Sequence, residues 1–160
     1  MPKNSDTSAR VAEIRNRKAS HNYFIGETFE AGIVLTGTEV KSVRMGRAQL
    51  QESFVRISAG LEAVLYNAHI SEYDFGNFYN HVPTRERKLL LHKKEILKLK
   101  AASERDGLAI IPVKMYFSKG RVKVLIALCK GKKLFDKRES LKKSQALREA
   151  NRAMSLRNFK

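Results

Sequence analysis

The sequence predicts a mainly β protein: an antiparallel barrel with peripheral helices and a basic C-terminal tail. Six or seven short segments alternate apolar and polar residues or lie between turn residues, as strands do. Only one stretch, residues 89–107, keeps helical spacing over several turns. The last strand-like segment, VKVLIALC (122–129), is apolar on both faces. Val122, Val124, Ile126 and Leu128 alternate there with Lys123, Leu125 and Ala127. Such a strand is covered on both sides, and a small barrel with helices outside provides that cover.

Taken in order, residues 1–15 are polar and small, without sustained periodicity, and are expected to be flexible. HNYFI and FEAGIVL read as two short strands around a Gly26-Glu27 turn, with Phe29, Ala31, Ile33 and Leu35 on one face. TGTEVKSVRMG follows. Thr36 or Thr38 caps a short helix with Val40 and Val43 inward and Lys41 and Arg44 outward, ended by Gly46. SFVRISAGLEAVLYNAHI reads as a hairpin turning near Ala59-Gly60, and residues 72–88 as an irregular loop rich in aromatic residues. LLLHKKEILKLKAASERDG is the long helix, with Leu89, Ile96 and Leu99 as its stripe and Asp106-Gly107 as its stop. LAIIPVKMYF and VKVLIALC flank SKGR in a second hairpin. An OB-type barrel meets these conditions, over residues 16–129.

The 160 residues carry a net charge of +16 and an isoelectric point near 10.2, which points to a polyanionic partner. The excess is uneven: residues 130–160 hold 11 lysines and arginines against 3 acids, half of the net charge in a fifth of the chain. No long uninterrupted apolar run and no signal-peptide core is present, so the expectation is a cytoplasmic protein rather than a membrane one. The single cysteine, Cys129, excludes an internal disulfide and reads as a small buried hydrophobe.

An enzyme is not expected. The four histidines are scattered without metal-ligand spacing, so no metal and no cofactor is anticipated. GKK at 131–133 lacks the rest of a phosphate loop. Glu30 and Glu39 could meet across strands, but a surface role is the favoured reading for both. Cations interleaved with flat groups fit nucleic acid better. NRKASHNYF sets Arg17 and Lys18 ahead of His21 and Tyr23, EVKSVRMGR projects Lys41, Arg44 and Arg47, and PTRERKLLLHKK adds five cations and His92.

NRKASHNYFI, FEAGIVLTGTEVKSVRMGRAQL, PTRERKLLL and ALCKGKKLFDKR together resemble the small protein B family, the SsrA-binding proteins of bacterial trans-translation. The likeness runs from about Asn16 to the C-terminus, with the motifs in family order. It implies an OB-fold body bound to the tRNA-like domain of transfer-messenger RNA, filling the place of the missing anticodon arm. The partners it implies are that RNA and the 30S and 70S ribosome with its 16S rRNA, with elongation factor Tu and alanyl-tRNA synthetase reached indirectly through the charged RNA. Carried over by position, the RNA surface includes Asn16, Tyr23, Glu30, Leu90 and Lys123, and His92 stands where the family often has Asn. Arg17, Lys18, Lys41, Arg44 and Arg47 are phosphate contacts by their chemistry. Glu30 repels phosphate, so its role is to accept hydrogen bonds from a base or ribose.

In the family the tail occupies the decoding centre and the empty message channel. KGKK and DKR place Lys130, Gly131, Lys132, Lys133, Asp136, Lys137 and Arg138 there, with Gly131 at the hinge and Phe135 where an aromatic or histidine ring would stack on a base. Leu147, Ala150 and Met154 make only a narrow stripe. Residues 130–160 are therefore expected to be disordered when free and helical on the ribosome.

Overall fold

The computed structural model describes residues 13–158. Nine strands and four α-helices follow in the order β1 (Ile14–Arg15), α1 (Arg17–Asn22), β2 (Tyr23–Ile33), α2 (Gly37–Arg44), β3 (Ala48–Gln49), β4 (Phe54–Ile57), β5 (Ala63–Tyr66), β6 (His69–Ile70), β7 (Arg87–Leu90), α3 (Lys93–Asp106), β8 (Ala109–Ser118), β9 (Arg121–Gly131) and α4 (Leu134–Arg157), with one 3-10 turn at Asn77–Tyr79. Seven strands form an antiparallel sheet in the order β1-β8-β4-β5-β7-β2-β9, and β8 also pairs with β9. That last pairing joins the two ends of β8-β4-β5-β7-β2-β9, so six strands close on themselves.

Alternation decides what lies inside. Phe29 and Ala31 of β2, Leu89 of β7, Met115 of β8 and Val124 and Ile126 of β9 share the core with Val43 of α2 and Leu99 of α3. On the outer face Ala19 of α1 covers Ile111, Ala127 and Cys129. The double cover expected of the last strand is thus supplied by α1. Burial pushes the Cys129 thiol above its ordinary range, in keeping with a packing role.

Several boundaries differ from those the sequence suggests. Gly26-Glu27 is no turn: β2 runs through it, and its register against β9 slips between Ile25 and Thr28. A Cβ on Gly26 would stand 2.8 Å from the Leu128 carbonyl oxygen, so only glycine lets the two backbones approach this closely. Leu89 belongs to β7 and not to the long helix. Residues 87–90 alternate in and out, and the Glu95 carboxylate accepts the His92 amide at 3.2 Å to begin α3 at Lys93. Ile14 and Arg15, expected within a flexible segment, pair with Met115 and Lys114; residues 1–12 of that segment lie outside the described residues. β9 continues past Cys129, with Lys130 and Gly131 paired to Phe24 and Tyr23. Gly131 is therefore sheet, and the body ends two residues later than expected.

The tail, expected to be disordered when free and helical on the ribosome, is one continuous helix over residues 134–157. Asp136 accepts the Lys133 amide at 3.3 Å, and the segment is rich in strong helix formers, with Glu139–Lys143 at helical spacing. Not one residue of α4 is buried.

Glu39 overturns the surface role expected for it. It lies in α2 with a side chain fully buried against Arg87, whose guanidinium is equally buried. Glu39 Oε1 accepts Arg87 Nε at 2.9 Å and Arg85 Nε at 2.7 Å; Oε2 accepts Arg85 Nη2 at 2.7 Å and the Thr36 amide at 2.9 Å. Arg87 also donates to the carbonyls of Ala68, Arg85 and Pro83. Arg85 and Arg87, counted among the five cations of a basic surface, therefore point inward. Burial alone would raise the Glu39 carboxyl, but the hydrogen bonds from Arg85 and Thr36 and the Arg87 charge outweigh it and hold the group below its ordinary range.

Glu39→Ala strands a buried guanidinium and is expected to cost about 3–5 kcal/mol in urea denaturation. Because the folded carboxyl titrates below its unfolded value, its contribution is complete above the ordinary carboxylate range and is lost as pH falls through the lower folded value. The acid limb of wild-type stability is expected to be steeper than that of Glu39→Gln.

A candidate nucleic-acid interface

Strand register gathers four of the expected site residues. Gly32 of β2 stands opposite both Leu90 of β7 and Lys123 of β9, and Lys123 in turn stands opposite Tyr116 of β8. Glu30 lies two residues before Gly32, on the same face, away from the core. Side chains at these positions share that face because strands alternate with period two. Glu30, Leu90, His92 and Lys123 accordingly line one shallow groove of about 390 Å³ together with Gly32 and Glu95. A Cβ on Gly32 would meet the Leu90 Cβ at 3.2 Å, so the missing side chain keeps the groove floor low. A second depression of about 320 Å³ shares Gly32, Leu90 and Lys123 and reaches Val40 of α2.

The Glu30 carboxylate is not loose. The Tyr116 hydroxyl donates to Glu30 Oε2, and Lys114 Nζ lies 5.1 Å from the centroid of the Tyr116 ring. Partial burial, then the hydrogen bond and charge of Glu30, push the Tyr116 phenol up to about 12. It is neutral and donating at any ordinary pH. Tyr116 was not singled out from the sequence. Its signal was available, since Lys114 and Tyr116 occupy alternate positions of a strand whose other face is apolar.

The remaining candidates fall into separate groups. Arg17 and Lys18 are exposed on α1, at the other end of the same face, with Tyr23 half-buried beside them. Eight residues of β9 separate the partners of Tyr23 and Gly32, about 26 Å at strand rise. Asn16 is buried, with its amide NH₂ donating to Pro112 O at 2.9 Å; its Oδ1 has no partner. It holds β1 and α1 against β8 more than it offers a surface.

Lys41, Arg44 and Arg47 are exposed on and just after α2. Arg47 pairs with Asp74 at 2.7 Å, while Lys41 and Arg44 lie over the rings of Tyr73 and Phe117. In the tail, Lys132 is committed: its Nζ donates to the Ser20 carbonyl and to Ser140 Oγ, both at 2.9 Å, and sits 5.0 Å from the Phe24 ring. Lys130, Lys133, Phe135 and Arg138 are exposed, and Asp136 and Lys137 half-buried.

One carboxylate fixed by a phenol, one ammonium and one leucine within a shallow groove make a mixed surface. It can accept from a base or ribose, meet a phosphate and offer an apolar contact. Among the described residues no group of three His, Cys, Asp or Glu side chains could hold a metal ion, and no helix is long and apolar enough to cross a membrane.

The family model described as SmpB protein matches residues 13–156. The chain belongs to the SmpB family. It is 59% identical over 152 residues to the SsrA-binding protein of Shouchella clausii, covering 95% of this chain and 97% of that protein. With the SsrA-binding protein of Halalkalibacterium halodurans it shares 57% identity over 144 residues, 90% of this chain and 93% of the relative. A solved structure described as "tmRNA-SmpB: a journey to the center of the bacterial ribosome" superposes with a TM-score of 0.66 at 45% identity, covering 81% of this chain and 94% of its own. The antiparallel sheet with peripheral helices is thus an SmpB arrangement, and the mixed groove lies on its outer face.

The Tyr116–Glu30 contact is testable by itself. The Tyr116 phenol is expected to stay protonated through pH 10.0, its unperturbed midpoint, and Glu30→Gln is expected to bring its ionisation down, as read from the ring NMR shifts.

Proposed function

We propose that this chain binds the tRNA-like domain of transfer-messenger RNA and carries it to stalled ribosomes for trans-translation, positioning RNA and performing no covalent chemistry. The observation that carries this reading is the groove in which Tyr116 fixes Glu30 beside Leu90, His92 and Lys123. An acid in the groove of a +16 protein weakens general attraction to phosphate, so its value lies in selecting a particular base or ribose edge. The SsrA-binding relatives and the ribosome-associated neighbour support the same assignment.

The closed sheet is read as an OB-type barrel forming an RNA-binding body, and residues from Lys132 onward as a separate ribosome-directed tail. On this reading Arg17, Lys18 and Tyr23 extend the RNA contact along the outer face, and Lys41, Arg44 and Arg47 extend it over α2. Lys130, Lys133, Phe135, Asp136, Lys137 and Arg138 meet 16S rRNA at the decoding centre. The exposed cations of α4 enter the message channel only when no message fills it. Elongation factor Tu and alanyl-tRNA synthetase are met through the RNA and not by this chain, and the site of action is the cytoplasm.

Gel shifts with a tRNA-like fragment and a scrambled RNA across salt concentrations test the groove. Glu30→Ala is expected to weaken the fragment about tenfold, the scale of a hydrogen bond to a charged group, and to leave the scrambled RNA unchanged. Equal loss on both would argue against specific readout. Removing residues 134–160 spares β9 and Lys132. It is expected to leave folding and fragment affinity intact while abolishing tagging in a stalled-translation assay; retained tagging would remove the tail from the mechanism.

A further inference from the structure

The loop between β6 and β7 carries three rings that nothing in the body covers. Phe75 is 77% exposed, Tyr79 92%, and Phe78 completely. Aromatic side chains left in water over five residues forgo the burial that usually holds such a loop down. Yet the loop is braced. Asn80 clamps it, accepting the Tyr73 amide at 3.0 Å and donating to the Tyr73 carbonyl at 2.7 Å. Gly76 donates its amide to Tyr73 O at 2.9 Å, and a Cβ there would strike the Asn80 side chain at 2.8 Å. At the far end buried His81 bonds Thr38 of α2 at 2.8 Å and the Ile70 carbonyl at 2.9 Å. A segment this well fixed holds its rings outward by construction.

α2 supplies the charge beside them. Lys41 Nζ stands 5.1 Å from the Tyr73 ring, and Tyr73 meets Phe75 edge to face at 5.6 Å. Arg44 is exposed one helical turn further on. Of the loop's three acids, Asp74 is neutralised by Arg47 at 2.7 Å, while Glu72 and Glu86 are exposed. Flat apolar faces flanked by solvent-exposed cations fit a ligand that is itself flat rings strung on phosphates. A protein partner would need acids placed against Lys41 and Arg44, and RNA brings that charge in every nucleotide.

We propose that the braced loop at residues 73–79 is a second RNA contact, a stacking platform for unpaired nucleotides whose phosphates are held by Lys41 and Arg44. It rests on the reading of this chain as an RNA-binding protein and shares Lys41 and Arg44 with the contact proposed over α2, but it uses none of the residues that line the outer-face groove. The platform suits single strands or splayed loops, because paired bases do not offer their faces.

The test uses the full chain with Phe78→Ala/Tyr79→Ala, and separately Phe75→Ala. Because these rings touch little else, the thermal midpoint is expected to be unchanged. The probes are a short oligoadenylate carrying 2-aminopurine and a fully paired hairpin with the same number of phosphates. Oligoadenylate affinity is expected to fall about tenfold and the stacking quench to disappear, while the hairpin binds as before. Unchanged oligoadenylate binding overturns the proposal, and so does equal loss on both probes. Unchanged oligoadenylate binding with weakened association to purified ribosomes would assign the rings to another surface, a protein one included, and also overturns it. Glu30→Ala is scored in parallel on the tRNA-like fragment, so failure of the groove and failure of the platform are read from different variants and different RNAs.

Discussion

A carboxylate and two guanidinium groups, drawn together beneath α2, hold the parts of this molecule that matter most for its surface. Glu39 is wholly out of water, a costly place for a charge, and it remains ionised because Arg85, Arg87 and the Thr36 amide take up its oxygens. The bonds run outward from there. Arg87 reaches the carbonyl of Ala68 just beyond β5, and Arg85 reaches that of Val34 just beyond β2. Arg87 is also the first residue of β7, so the pair fixes the strand that carries Leu90 into the groove and delivers His92 to the start of α3. An apolar cluster of equal volume would fill the space, but it would not specify which carbonyls α2 must sit against. Directional bonds do.

With the frame fixed, the outer face can afford a chemically mixed site. On the proposed reading, attraction to RNA is supplied in excess by a net charge of +16 and needs no particular geometry. Discrimination does need geometry, and it is concentrated where an acid is held still. A glutamate alone on a strand samples several rotamers, and each hydrogen bond it makes to a ligand carries the cost of stopping that motion. The Tyr116 hydroxyl fixes one carboxylate oxygen beforehand and leaves the other free. With its pKa pushed up to about 12, the phenol remains a donor across the neutral range.

Much of this was legible in the sequence where a single face decided the outcome. The alternation of Val122, Val124, Ile126 and Leu128 against Leu125 and Ala127 gave β9 its two covered faces, and a threonine at 36 or 38 ahead of Val40 and Val43 gave α2 its start. Legibility failed where a partner distant in sequence decided instead. Charged residues in PTRER look like surface by composition, and nothing local says that Glu39, 48 positions before Arg87, will meet it inside. Gly26 resembles a turn glycine until Leu128 O is found 2.8 Å from its missing Cβ. Leu89 fits a helical stripe as well as a strand, and only pairing with Ile33 and Ala63 separates the two. The groove was legible through family resemblance alone, because Glu30, Leu90 and Lys123 are unremarkable one at a time and acquire meaning from register.

The tail shows how a segment can be aimed without being packed. Lys132 is fastened on four sides: its amide donates to the Asn22 carbonyl, its ammonium to Ser20 O and Ser140 Oγ, and its charge lies over the Phe24 ring. Ser20 O belongs to the last turn of α1, where a helix presents its negative end and a cation is best received. Beyond this root α4 buries nothing, so Leu134, Phe135, Leu141, Leu147 and Met154 keep their apolar faces and the cations their full reach. A helix fastened at its root and lying beside α1 without burying a residue leaves its bearing with a known direction and little else to give up on docking. Were it packed along its length, the ribosome docking proposed for it would first have to strip those contacts. Were its root loose as well, the cost of orienting some two dozen residues would fall entirely on the docking step. The Lys132 anchor removes part of that cost in advance, and it does so through backbone carbonyls of the same helix that presents Arg17 and Lys18. On the proposed reading, RNA bound along α1 and the bearing of the tail are joined through six residues of one short helix.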